Sequence, residues 1–284
     1  MSDKQPDVVI SFDGAVATVE LCRPPHNFFD IPLIQHLADA FEDLEADRRC
    51  HAIVLAAQGS SFCAGANFVK TPAAGDANAA AHAGADPAKP LEVSRDATPA
   101  HRSPRAVNPL YAEAIRLFSC GKPVVAAVHG PAIGGGLGLA LVADFRVTCA
   151  EARFSANFNR LGFHPGFGLS VTLPRLVGLQ QAALLFYTGR RLNGSQALAI
   201  GLADVLVAQD RVRAEAAALA REIAVSAPLA VQSTRATLRA GLVEQIRSAV
   251  ARESQEQNWQ FNTADFREGV AAMAARREPR FAGE

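Results

Sequence analysis

The sequence predicts a mixed α/β fold of stacked strand–turn–helix units, closed by a helical C-terminal stretch. Short apolar runs at 52–56, 123–128 and 144–148 each empty into a turn, the mark of buried strands in an α/β arrangement. Helical apolar spacing precedes the first of them, at Ile31 to Ala46. From Leu169 onward the pattern is almost wholly helical.

Each element has its own signal. Val8–Phe12 and Ala15–Leu21 flank Asp13-Gly14, a turn pair that tolerates positive φ, so the chain opens on a hairpin. Ile34, Leu37, Ala38, Phe41 and Leu44 make the apolar stripe of the helix 31–46, with Asp30 as its cap ahead of Pro32. Val124 to Ala143 is uncharged and long enough to span a bilayer, but Pro131 and Gly134-Gly135-Gly136 break it into a strand, a turn and a helix start. Asp204 to Val207 is the last strand. Asp210 or a neighbour caps a helix that ends before Pro228, and three more helices follow at 229–240, 243–261 and 264–276. Residues 1–205 thus form the core and 206–284 a helical region suited to packing between subunits. Thr71 to Pro109, rich in Ala, Gly, Pro and Asp, is expected to be a mobile loop beside the active site.

Composition narrows the function. The chain has 284 residues, 28 basic and 28 acidic, so no cationic excess recommends a nucleic-acid partner. Cys22, Cys50, Cys63, Cys120 and Cys149 are scattered without a metal-ligand spacing and read as reduced core thiols of a cytoplasmic protein. No metal site and no membrane partner are expected. The polar start MSDKQPDVVI lacks the apolar stretch of a signal peptide.

Two glycine turns carry the chemistry. Ser61-Phe62-Cys63-Ala64-Gly65-Ala66-Asn67 follows one strand, and His129-Gly130-Pro131-Ala132-Ile133-Gly134-Gly135-Gly136 follows another. Two such turns from adjacent strands can aim two N–H groups at one carbonyl oxygen, an oxyanion hole. Close helix packing at the triple glycine is the plain alternative. The phosphate-loop pattern is absent, and Leu139 stands where a dinucleotide fingerprint needs glycine.

These turns, with Ala143-Asp144-Phe145-Arg146-Val147, Arg160-Leu161-Gly162, Pro165-Gly166-Phe167-Gly168, Leu173-Pro174-Arg175-Leu176-Val177-Gly178, Thr263 to Gly269 and Arg276 to Phe281, resemble the crotonase (enoyl-CoA hydratase/isomerase) family. The resemblance covers nearly the whole chain apart from 71–109. It implies a spiral of ββα units with a C-terminal helical region, assembly into trimers or hexamers, and an acyl-CoA substrate with no further cofactor. It places the oxyanion N–H groups on Ala66 and Gly135. It places substrate binding at Arg23 (CoA phosphates), Ala64 (adenine), Gly65, Gly134, Phe158 and Phe281. By the same match, the two catalytic glutamates of family hydratases fall on Gly138 and Phe158, neither of which can move a proton. His164 and Asn157 are the replacement candidates. Asn159 flanks Phe158 with Asn157, and Asn67, His129 and Asp144 read as structural. Charged residues of the 71–109 stretch, such as Asp76, His82 and Arg95, are candidates for closing over the thioester. Phe29, Phe68, Phe158, Phe163 and Phe167 are expected to line the acyl pocket. Three functions stay open: hydration or isomerisation, decarboxylation or C–C hydrolysis, and silent acyl-CoA binding.

Overall fold

The computed structural model describes residues 6–67 and 107–284. The expectations for Phe68 and for the 71–109 stretch up to residue 106 lie outside them.

The opening hairpin forms as expected: β1 (Val8–Asp13) and β2 (Val16–Leu21) are antiparallel, with Asp13 opposite Val16 and Gly14 in the turn at φ +57°. β3 (Ala52–Ala57), β4 (Val124–Val128), β6 (Phe145–Thr148) and β9 (Val205–Leu206) extend this pair into a six-stranded sheet in the order β1-β2-β3-β4-β6-β9, parallel from β2 onward. Every residue of β3 and β4 is buried, which is why these segments read as unbroken apolar runs rather than alternating ones.

A second, three-stranded sheet is built from β5 (Ala132–Ile133), β7 (Arg153–Ser155) and β8 (Leu192–Asn193) in the order β5-β7-β8. β4 thus feeds β5, and β6 feeds β7, each pair turning from one sheet to the other. Cys63, after β3, makes an isolated parallel bridge to Ala132, so the third turn joins the same stack. Strands of two or three residues carry no readable period.

α1 (Ile31–Ala46) has the expected bounds; Asp30 caps it through Leu33 N–H to Oδ1 at 3.0 Å. α2 (Pro109–Ser119) packs against α1. α3 (Gly135–Ala140) opens at the triple glycine. α4 (Leu169–Thr188) is, by length and composition, the one helix among the described residues able to cross a membrane, but Gly178 (φ 78°, ψ 159°) breaks it in two. α5 (Gly194–Ala199) is short, and its Asn193 and Gln196 form a capping box.

α6 (Val212–Ala224) differs from expectation at its start. A 3₁₀ turn, Gln209–Arg211, leads into it, and Arg211 already has helical angles. There is then no extended residue whose side chain could reach back to the first N–H groups, so Asp210 caps nothing. α6 packs across β2, β3, β4 and β6, and so belongs to the layer around the main sheet. α7 (Pro228–Leu238), α8 (Leu242–Gln260) and α9 (Ala264–Ala274) complete the chain.

One buried ion cluster ties α7 to the sheet. Asp144, just before β6, accepts from Val124 N–H (2.8 Å), Arg235 Nε (2.8 Å) and Arg239 Nη1 (2.8 Å). Its role is structural, as expected.

Candidate active site

The two glycine turns meet. Cys63 N–H donates to Pro131 O at 3.0 Å, and Ile133 N–H donates to Cys63 O at 3.0 Å. A methyl group at Gly65 would stand 2.8 Å from Ile133 O and 3.4 Å from Gly135 N, so the tips of the turns touch there and the position requires glycine. Asn27, fully buried, braces the first turn from behind: its Nδ2 donates to Gln58 O (2.6 Å) and Ser61 O (2.8 Å). Gly134 N–H is held by Ser155 O at 2.8 Å. The next N–H, on Gly135, and the N–H of Ala66 donate to no acceptor among the described residues. Both residues line one cavity of about 300 Å³.

The cavity walls are largely apolar. Phe28, Phe29, Leu110, Ile133, Phe158 and Phe163 line it, together with Leu161, Phe261 and Met273. Phe158 meets Phe163 edge-on at 5.4 Å between centroids, and Phe163 meets Phe261 at 5.0 Å. Phe167 lies behind the wall, fully buried, 5.6 Å from Phe29. The polar lining residues are Asn67, Asn108, Tyr111, Asn157 and Arg191. Among the described residues no Asp, Glu, His, Lys or Cys lines the cavity.

Asn157 therefore stands in the site, and so do Ala64, Gly65, Ala66, Gly134, Gly135 and Phe158. His164 does not line the cavity. Its backbone is clamped by Gln260 Oε1 (2.6 Å, from His164 N–H) and Gln257 Nε2 (2.8 Å, to His164 O), and its ring Nδ1 lies 2.7 Å from Pro165 O. Arg23 is also outside the lining, paired with Asp7 at 2.5 Å and Asp30 at 2.7 Å. Phe281 sits exposed on the tail and away from the cavity lining. His129 Nε2 lies 3.0 Å from Gly59 O, bracing the loop that leads into the first turn.

Gly138 has no free space beside it. A methyl group there would come within 2.7–2.9 Å of Phe167 Cδ1, Cβ and Cγ. Phe167 holds this position with a left-handed backbone, φ +64°, a strained choice for a bulky residue.

Electrostatically the site is quiet. Burial pushes the Tyr111 phenol well above its ordinary range, and its O–H donates to Gln257 Oε1 at 2.9 Å. Burial pushes the Cys63 thiol, behind the first turn, up to about 12. Glu253 is buried beneath the 168–170 turn; burial raises its pKa even though Gly168 N–H, Ser170 N–H and Ser170 O–H all donate to it at 2.6–3.0 Å. No cluster of three or more His, Cys, Asp or Glu that could hold a metal occurs among the described residues.

The family pattern described as enoyl-CoA hydratase/isomerase matches residues 11–284. The chain belongs to that family. A "Probable enoyl-CoA hydratase" of Mycobacterium tuberculosis is 36% identical over 236 residues, 82% of this chain and 81% of its own. A "Probable enoyl-CoA hydratase" of Bacillus subtilis is 27% identical over 279 residues, 98% and 99% of the two chains. The crystal structure of an enoyl-CoA hydratase/isomerase from Pseudoalteromonas atlantica superposes with a TM-score of 0.79 at 27% identity, covering 98% of this chain and 100% of that one. The protein is an enzyme of the crotonase family with the family's fold.

Several wall residues of this crotonase fold went unread in the sequence. Tyr111 and Leu110 come from α2, Arg191 from the segment before β8, and Phe261 and Met273 from helices assigned to subunit packing. Their segments have helical or no periodicity, and nothing local marks which face meets a cavity. Arg191 alone had a signal, the turn Thr188-Gly189-Arg190-Arg191 after a long apolar helix.

Proposed function

We propose that the protein transforms an acyl-CoA thioester, holding the thioester oxygen between the N–H groups of Ala66 and Gly135 while negative charge develops on it. The observation that carries this reading is a pair of N–H groups, unpartnered among the described residues, on two interlocked turns whose residues line one largely apolar cavity. In such a cavity a preorganised donor stabilises an enolate far more than water would; losing one costs roughly 10²- to 10³-fold in rate in well-studied cases. CoA enters only as part of the substrate.

The proton-transfer machinery of a hydratase is not supported. The position that the resemblance gives to the first glutamate is Gly138, whose space Phe167 fills, and the second is Phe158, locked in the aromatic wall. With no carboxylate on the described wall, a reaction that generates its own enolate is the second reading. In decarboxylation of a malonyl-type thioester, the electron pair of the breaking C–C bond moves to the α-carbon and onto the thioester oxygen. Carbon dioxide leaves, and the α-carbon then takes a proton from water. Asn157 is suited to orient that water or the acyl group.

Exposed Val225, Leu229 and Leu238, at 87%, 79% and 70% accessibility, support assembly into trimers or hexamers through the α7 side. A cytoplasmic location fits five buried, unpaired thiols.

The deciding experiment is mass spectrometry of purified enzyme in heavy water with crotonyl-CoA, a longer enoyl-CoA, malonyl-CoA and methylmalonyl-CoA. Water addition supports hydration through an unconventional base, and loss of CO₂ supports the second reading. Tight binding with neither product nor deuterium exchange overturns the enolate mechanism in favour of silent binding.

A further inference from the structure

The only charged side chain among the described residues of the cavity wall is Arg191, and it forms no ion pair with any of the described residues. Its place in the fold is defined. β7 runs antiparallel to β8 with Arg153 opposite Asn193 and Phe154 opposite Leu192, and Arg191 is the residue just before β8, one step along that direction toward Ser155. Ser155 in turn pairs with Ile133 of β5, the residue before Gly134 and Gly135. Arg191 and the candidate oxyanion turn therefore stand on opposite sides of one strand, two strand spacings or about 10 Å apart at the backbone. Asn157 lies between the two: its Cα is 3.4 Å from where a methyl group at Gly189 would sit, its Oδ1 is 3.4 Å from where one at Gly134 would sit, and its side-chain amide makes no hydrogen bond among the described residues.

A guanidinium and an amide, neither partnered among the described residues, on one largely apolar wall form a donor set for a planar anion. Guanidinium matches a carboxylate in a two-pronged geometry, and such charge-assisted bonds are the strong ones. We propose that Arg191, with the Asn157 amide, recognises a second carboxylate on the acyl group, so that the substrate is the CoA thioester of a dicarboxylic acid. This rests on the thioester reading above. The separation of Arg191 from Gly135 places that carboxylate several bonds from the thioester carbon. A cation pairing with a departing carboxylate would also stabilise the ground state more than the transition state, in which charge moves to the thioester oxygen. Arg191 is thus a specificity determinant that holds a retained, distal carboxylate.

The test is a set of dissociation constants, by calorimetry, for matched acyl pairs on wild type, Arg191→Gln and Arg191→Lys: succinyl-CoA against butyryl-CoA, and glutaryl-CoA against valeryl-CoA, with free CoA alongside. Arg191 is exposed, and circular dichroism checks that the variants fold. Wild type is expected to prefer the dicarboxylic member of a pair by about ten- to a hundredfold. Arg191→Gln should bring that ratio near one, and Arg191→Lys should keep part of it. A wild-type ratio near one, or a ratio unchanged in Arg191→Gln, overturns the proposal. So does a fall for free CoA as large as that for the dicarboxylic thioesters, because Arg191 would then serve a phosphate. Failure of every thioester to bind overturns the thioester reading itself and is distinct from these outcomes.

Discussion

Gly138 and Phe167 are one feature seen from two sides. Position 138 carries no side chain, and the space beside it is filled by a buried ring held at positive φ. Gly138→Ala should therefore overpack the site and destabilise the protein by about 1–3 kcal/mol, measured by urea denaturation. A double-mutant cycle with Phe167→Ala should show favourable coupling, because the ring is what the new methyl strikes; additive effects would mean that the clash is relieved elsewhere. The oxyanion assignment needs a more careful pair of variants. Any side chain at Gly135 meets the Phe29 ring, whose Cζ is 2.2 Å from a methyl placed there. Gly135→Ala keeps the N–H and Gly135→Pro removes it, so the difference between the two, in a Phe29→Ala background, reports the N–H. Turnover should be lower in the proline variant by about 10²-fold or more; equal turnover in the pair excludes the Gly135 N–H from the chemistry. The residues of the two turns were legible because glycine spacing after a strand is a backbone requirement written directly in sequence. Arg191 and Tyr111 were not, because a side chain reaches a cavity through tertiary packing that no local pattern encodes.

At the scale of elements, the strand runs and the helix 31–46 were legible because burial on both faces, or on one stripe, imposes a composition and a period. The second sheet was not. β5 and β8 have two residues each, and they exist because longer segments bring them together. The C-terminal helices were found within a few residues, yet Phe261 and Met273 place their faces on the cavity wall, which their amphipathic pattern alone could not assign. What joins α7 to the sheet is the Asp144 cluster. Asp144 and both arginines are mostly buried, at 17%, 9% and 15% side-chain exposure, and Arg235 Nη2 and Arg239 Nη2 have no hydrogen-bond partner among the described residues. Removing the carboxylate leaves two buried cations without their anion, so Asp144→Ala should cost about 3–5 kcal/mol. Asp144→Asn keeps one acceptor for Val124 N–H and should cost less. Thermal denaturation of the two variants orders them; an alanine variant as stable as wild type would show that water or a partner subunit already neutralises the arginines.

Across the whole molecule the charge balance is even, and the titrations that matter to stability are those of buried groups. All five cysteines are buried and unpaired, and every thiol is pushed above its ordinary value of 9.0, chiefly by burial. Cys63 reaches about 12 and Cys120 about 11. In the unfolded chain these thiols ionise near 9, whereas in the fold they keep their protons. The folded state then binds more protons than the unfolded one, so stability falls as pH rises. The contribution is fully present below pH 9 and is lost as pH climbs toward 11 and 12. Each thiol held neutral costs on the order of 1 kcal/mol of stability for each pH unit above its unfolded pKa, so Cys63 and Cys120 together should remove about 3 kcal/mol between pH 8 and pH 10. The Tyr111 phenol, also raised by burial, acts in the same direction only above its ordinary value of 10.0, outside that interval. Urea midpoints at pH 8, 9 and 10 should therefore fall steadily for wild type. In Cys63→Ala/Cys120→Ala the fall should be shallower, with the remainder belonging to Cys22, Cys50 and Cys149. A double variant whose midpoint falls as steeply as wild type would mean that these two thiols ionise in the fold as they do in water, and that the core around the first turn is open to solvent.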